Sequence, residues 1–97
     1  MRVDTNLVAV PAAIKKQGYT LALEVELAPY FKEVPIYAAR RDEILEDLNE
    51  VFGDKVKTKV FPVYKNGVET PDHPPIRFRI YCVDRSTVLQ AKLRIRF

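Results

Sequence analysis

Alternation of apolar and polar residues predicts most of the secondary structure. Leucine or valine occupies every odd position from 21 to 27, and alanine or glutamate occupies the even positions between them. A period of two is typical of a strand that buries one face. The same alternation runs through 55–64, 76–83 and 89–97, and it predicts three further strands. Residues 3–14 are apolar but poorly periodic, and they favour an edge strand up to Val10 followed by a short turn that Gly18 caps.

One segment, 38–52, has the period of a helix. Its apolar residues are spaced i, i+1, i+4, i+7 and i+8, which makes a single stripe along one face. Gly53 follows, where a left-handed helix cap is expected. The opposite face is acidic, and like charges four residues apart destabilise an isolated helix. We therefore expect packing of the stripe to hold this helix. The stripe is Ile44, Leu45, Leu48, Val51 and Phe52, and the acidic face is Asp42, Glu43, Glu46, Asp47 and Glu50.

The order of these segments predicts the fold class. One or two strands, a helix and then three or four strands make an α+β fold, with a mostly antiparallel four- to five-stranded sheet and one amphipathic helix (about 38–52) packed on one face. Asn66-Gly67 is a strong signal for a hairpin turn, and Asp84 to Thr87 predicts another turn. Length predicts a single domain over 1–97.

The inward positions of these elements predict one core. A single helix is about 10 Å across, whereas four or five strands span about 20 Å, so part of the sheet is left uncovered. We therefore expect a second copy to cover it and the protein to form a homodimer that buries at least about 1,000 Å². The predicted core is Leu21, Leu23, Val25, Leu27, Leu45, Leu48, Phe52, Val60, Phe78, Ile80, Leu93 and Ile95.

Charge is divided between the two halves of the chain. Residues 1–53 contain six basic and nine acidic residues, and residues 54–97 contain ten basic and four acidic residues. The net charge of +3 therefore conceals an acidic half and a basic half, which is a hint of charged partners. A single cysteine, no apolar run of membrane-spanning length and no signal-peptide pattern favour a cytoplasmic protein without a membrane partner.

Residues with catalytic chemistry are few. Cys82 shares its parity with the apolar residues of its strand, so we expect it in the core. His73 lies among prolines in an expected surface loop, and one histidine does not make a metal site. Glu24 and Glu26 lie on one strand face and would suit acid–base chemistry in a cleft, but cross-strand ion pairs with Lys and Arg are the better expectation. We predict no catalytic residues, no metal and no cofactor.

The basic half predicts one distinctive surface. If each strand of that half buries its apolar side, its other side carries Lys55, Lys57, Lys59, Arg77, Arg79, Lys92, Arg94 and Arg96, with Phe61 and Tyr81 among them. Cations beside exposed rings are typical of a surface that holds phosphates and stacks the bases of a single strand. The candidate nucleic-acid-binding residues are Lys57, Lys59, Phe61, Arg77, Arg79, Tyr81, Lys92, Arg94 and Arg96.

Three functional hypotheses remain open from the sequence. The first is a small non-catalytic binding or regulatory module that acts through protein–protein or self association. The second is single-stranded nucleic-acid binding through the basic sheet face, and the third is a small metal-dependent nuclease built on Glu24 and Glu26. A basic face is an unspecific signal, because it also suits a solvated surface, a dimer contact or an acidic protein partner.

Overall fold

The computed structural model describes residues 2–28, 34–61 and 76–95. Two strands come first, then a long helix, two more strands and a final helix. The elements are β1 (Arg2–Val8), α1 (Ala12–Lys15), β2 (Leu21–Ala28), α2 (Val34–Phe52), a 3₁₀ turn (Gly53–Lys55), β3 (Val56–Val60), β4 (Ile76–Cys82) and α3 (Arg85–Arg94).

The four strands form one antiparallel sheet in the order β1-β2-β4-β3. Leu23 lies opposite Leu7 on one side and opposite Ile80 on the other, and Phe78 lies between Val25 and Val60. β1 and β3 are therefore the edges. The predicted α+β class and the antiparallel four-stranded sheet are confirmed, as is the edge position of the first strand.

Helices cover one face of the sheet over β2, β3 and β4, whereas Leu7 on the same face of β1 is 64% exposed. α2 packs over β3 and β4, and α3 packs over β2 and β4. Between the helices and the sheet lies one apolar cluster, and Cys82 belongs to it as predicted. The cluster consists of Leu23, Val25, Leu27, Ile44, Leu45, Leu48, Val56, Ile76, Phe78, Ile80, Cys82, Val88, Ala91 and Ile95.

The long helix differs from its prediction at its start and at Val51, which was predicted in the packed apolar stripe but is 49% exposed. It begins at Val34, four residues before the predicted position, and includes Pro35. Proline is tolerated in a first helical turn because the first N–H groups of a helix have no acceptor within it. At the other end Gly53 has φ +53°, the left-handed conformation expected of a glycine there.

The predicted last strand, 89–97, is wrong over its described part, 89–95, and so is the predicted turn at Asp84 to Thr87. Arg85–Arg94 form the helix α3, with Asp84 and Ile95 as its two caps. Asp84 is its N-cap, because Oδ1 accepts hydrogen bonds from Thr87 N at 2.8 Å and from Thr87 Oγ1 at 2.7 Å. The following residues, mostly Leu, Gln, Ala, Lys and Arg, are strong helix formers. Burial then falls on Val88, Ala91 and Ile95, at helical spacing.

This second helix changes the predicted core. Leu93 and Val60, both predicted to be buried, are exposed, because Leu93 points away from the sheet on α3 and Val60 lies at the edge of the sheet. Leu21 and Phe52 are only partly buried. The other predicted core residues are buried. The homodimer was predicted because one helix alone would leave part of the sheet uncovered. α3 covers β2 and β4, so this reason no longer holds for these two strands.

Some predictions lie outside the described residues. They are the Asn66-Gly67 turn, the loop with His73, and Arg96. Of the helices within the described ranges, none is long and apolar enough to cross a membrane.

Candidate nucleic-acid interface on the open sheet face

The sheet face opposite α2 and α3, called here the open face, carries most of the charged strand residues. Each strand presents alternate residues on it. Apart from Arg2 at the start of β1, acidic residues lie on β1 and β2, and basic residues lie on β3 and β4. In strand order the open face presents Asp4, Asn6 and Val8, then Ala22, Glu24 and Glu26, then Tyr81, Arg79 and Arg77, and finally Lys57 and Lys59.

Three cations converge on the ring of Phe61, which follows β3. The Lys59 Nζ atom lies 5.4 Å from the ring centroid, and the guanidinium carbons of Arg77 and Arg79 lie 5.6 Å and 5.1 Å from it. The backbone places the ring there, because Phe61 N donates to Arg77 O at 3.3 Å. All three distances are within the range of cation–π attraction. Five predicted residues lie together on β3, directly after β3 and on β4. We call these residues the cationic strip: Lys57, Lys59, Phe61, Arg77 and Arg79.

One carboxylate enters the cationic strip from β2. Glu24 Oε2 accepts a hydrogen bond from Arg79 Nε at 3.1 Å, and Glu24 Oε1 lies 3.9 Å from Arg77 Nη1. Hydrogen bonding to Tyr81 and to Glu24 raises the pKa of Arg79. The predicted cross-strand ion pair of Glu24 is therefore confirmed. Arg79 is held by two partners and is 27% exposed, whereas Arg77 is 46% exposed and its contact to Glu24 is long.

Tyr81 was predicted to stand exposed among the cations, and this is wrong. It lies on the open face but is only 2% exposed, and its neighbour Ala22 is fully buried. The connection between β1 and β2 lies at this end of the sheet. Lys57 Nζ donates to Gln17 Oε1 at 2.9 Å, and Thr20 N donates to Cys82 O at 3.0 Å. The open face is thus covered at one end, and no base can reach Tyr81 without displacing that cover.

Two further predicted site residues, Lys92 and Arg94, are not part of this face. Lys92 and Arg94 belong to α3, on the opposite side of the sheet, because the segment that carries them is a helix. Arg94 also makes a two-pronged ion pair with Asp47, with both hydrogen bonds at 2.9 Å. Lys55 ends the 3₁₀ turn before β3, and Arg96 lies outside the described residues. Gln17 is a contact that the sequence analysis missed, and no pattern around it signals its bond to Lys57.

Among the described residues, the other chemically distinctive side chains do not form a reactive cluster. Burial, with a smaller contribution from Asp84, raises the pKa of the Cys82 thiol to about 11, which keeps it protonated at neutral pH. Within the described ranges, no group of three or more His, Cys, Asp or Glu is placed to hold a metal ion. Glu24 is engaged by two arginines, which is the arrangement of a structural ion pair.

Comparison with known proteins gives no match: no protein-family model, no curated protein and no solved structure is significantly similar to this chain.

Proposed function

We propose that this protein is a binding module whose cationic strip takes a single-stranded nucleic acid. The observation that carries the proposal is the convergence of Lys59, Arg77 and Arg79 on Phe61. Single-strand binding surfaces combine cations that hold phosphates with rings on which bases stack. A ring among cations offers both contacts to one nucleotide.

The number of available cations sets the strength of the interaction. Arg79 is engaged by Glu24 and Tyr81, so phosphates are left to Lys57, Lys59 and Arg77. Gln17, the partner of Lys57, is neutral and does not cancel its charge. Two or three neutralised phosphates predict a log–log salt dependence of about −1.4 to −2, since each contributes about −0.7 for a single strand. The sequence pattern predicted eight cations on this face, and fewer are available because Lys92 and Arg94 lie on α3 instead.

The acidic part of the open face restricts the path of the strand. Glu24 and Glu26 lie on β2, beside the cationic strip, and their carboxylates disfavour a phosphate chain that crosses the sheet. The bound strand is therefore expected to follow β3, with its bases directed toward Phe61. The site is short, and few direct contacts to base edges are available, so little sequence preference is expected.

The test is a titration of labelled oligo(dU) and oligo(U), followed by fluorescence anisotropy from about 50 mM salt upward. Arg77→Ala should weaken binding and flatten the salt dependence by about 0.7. Phe61→Ala should weaken binding by roughly 5- to 150-fold, which is about 1–3 kcal/mol of lost stacking, and leave the salt dependence unchanged. Glu24→Gln should strengthen binding, because it removes the carboxylate that competes for Arg77 and Arg79.

The matched control is Lys92→Ala, which removes one exposed cation from α3 and should leave the affinity per site unchanged. Two results would contradict the proposal. One is the absence of binding to either oligonucleotide at about 50 mM salt, where phosphate contacts are strong. The other is equal binding of an oligoglutamate peptide with no effect of Phe61→Ala, which would make the strip a surface for acidic proteins.

Self association is the second candidate function, and it now rests on a different surface from the one the sequence indicated. The sheet is covered over β2 and β4, but Leu89 and Leu93 of α3 are exposed by 53% and 63%. These two residues point away from the sheet.

A further inference from the structure

The outer surface of α2 and α3, called here the helix layer, divides into an acidic part and a basic part. On α2, Glu46 and Glu50 are exposed and lie one turn apart, on the side opposite the buried Leu45 and Leu48. Within the described part of the chain, neither glutamate has an ion pair or a hydrogen bond to another side chain. The α2 part of the layer therefore carries two unneutralised negative charges.

α3 supplies the opposite charge together with an apolar pair. Arg85 and Lys92 are exposed and, among the described residues, have no ion-pair partner. Leu89 and Leu93, four residues apart, lie next to these two cations, nearer the outer side of the helix. Exposed leucines with cations along one side are typical of a contact surface that has an apolar part and a charged rim.

The two helices run in opposite directions. β2 and β3 are parallel to each other, because each pairs antiparallel with β4. α2 returns the chain from the end of β2 to the start of β3, and α3 follows β4, so the helices are antiparallel neighbours. The ion pair between Asp47 and Arg94 joins them. A two-fold axis parallel to both helices, in the plane above them, would place α2 of one copy on α3 of the other, twice.

We infer that a second copy of this chain docks on the helix layer, with Glu46 and Glu50 of each copy facing Arg85 and Lys92 of the other. The arrangement is isologous, as expected for a closed dimer. It brings opposite charges together at both contacts and covers Leu89 and Leu93. Other two-fold arrangements of the layer stack α2 on α2, where the unpaired Glu46 and Glu50 of the two copies would repel one another.

The size of the layer predicts a weak dimer. α2 and α3 have 19 and 10 residues, so they are about 28 Å and 15 Å long and about 10 Å wide each. A standard interface buries roughly 800 Å² per partner, about one eighth of the 6396 Å² surface of this chain. The helix layer offers less than that, which places it among transient interfaces. Because the open faces point outward in this dimer, each remains free to bind its own strand.

Sedimentation velocity over a concentration series, from about 5 to 500 µM, tests the inference, since transient interfaces associate in this range. We expect a monomer–dimer equilibrium that shifts toward monomer in about 1 M salt, where the screening length is about 3 Å. Glu46→Lys with Glu50→Lys should abolish the dimer, and so should Arg85→Glu with Lys92→Glu. Mixing the two variants should restore it as a heterodimer, because each of the two contacts again joins opposite charges.

Controls separate a lost interface from a lost fold. Each variant should keep the wild-type helical circular dichroism and urea midpoint to within the range usual for surface substitutions, about 0.5 kcal/mol. Lys57→Glu with Lys59→Glu, on the open face, should leave the dimer intact. The inference is overturned if wild-type protein stays monomeric at the highest concentration. It is also overturned if the mixture of charge-reversed variants stays monomeric, or if the charge reversals leave the dimer unchanged.

Discussion

Truncating two leucines of the helices separates the observed fold from the one predicted by alternation alone. Leu48 of α2 is fully buried, and Leu93 of α3 is 63% exposed, although the sequence pattern predicted both in the core. Leu48→Ala removes three carbon atoms from contact with the sheet, a transfer loss of about 2.4 kcal/mol at about 0.8 kcal/mol per carbon. Adding the cavity left behind gives an expected loss of about 2–5 kcal/mol in the free energy of unfolding.

Leu93→Ala is the matched control, because the same atoms are removed from a helix in both variants and the change in helix propensity is the same. Its expected cost is below about 0.5 kcal/mol, the usual size for a surface site. The chain has no Trp, so urea unfolding is best followed by circular dichroism, at a protein concentration low enough to avoid self association. A loss of about 3 kcal/mol lowers the midpoint by roughly 1.5–2 M for a urea m-value of about 1.5–2 kcal/mol/M. Equal losses in the two variants would refute the assignment of α3 as a helix with Leu93 outward.

Three further substitutions or measurements test individual contacts. The Cys82 thiol, with its pKa raised to about 11 by burial, should react with a disulfide reagent at pH 8 only as fast as the protein unfolds; fast labelling of folded protein would contradict its burial. Hydrogen bonds from Thr87 lower the pKa of Asp84, so its contribution to stability is complete above about pH 4 and is lost as the pH falls through the lowered pKa. Asp84→Asn keeps a capping acceptor without the charge. Its free energy of unfolding should therefore fall less steeply with decreasing pH than that of wild type. Identical pH profiles would exclude the cap as a source of acid sensitivity. Tyr81→Ala should lower the free energy of unfolding by about 3 kcal/mol or more, as for other large buried rings. An unchanged urea midpoint would show that Tyr81 is exposed.

The central strands were predictable because their alternation is strict and each buries one side fully. In β2 and β4 every residue of helix-facing parity is apolar, and Leu23, Phe78 and Ile80 are all buried. The final segment was not predictable from its period. Its nine residues have an apolar residue at every second position, and this pattern is also compatible with a helix that exposes Leu89 and Leu93. The residue types at the start of the segment indicate the helix better than the period does. Asp84 is a typical N-cap residue, its side chain accepts a hydrogen bond from Thr87 N, and the residues that follow favour a helix.

The cationic strip was predictable for a related reason. The parity of β3 and β4 is sufficient to place Lys57, Lys59, Arg77 and Arg79 on one face, and Phe61 continues that parity. Parity does not tell which part of a face is covered by a connection. Tyr81 is buried on the same face as Arg79, at the end where the connection between β1 and β2 lies, and that connection has no periodic pattern from which its position could be predicted.

The division of charge along the sequence becomes a division of charge in space because of the strand order. β1 and β2 come from the acidic half and β3 and β4 from the basic half, and the order β1-β2-β4-β3 never interleaves them. On the open face the negative side lies at β2, with Glu24 and Glu26, and the positive side lies at β3 and β4. The helix layer has the reverse arrangement, because acidic α2 lies over β3 and β4 while basic α3 lies over β2 and β4. A polyanion bound to the cationic strip as proposed would therefore meet acidic side chains on β2 and on α2, behind the edge of the sheet. These charges would confine it to the line of β3, and the same reversal is the basis for proposing that two copies of the helix layer attract each other.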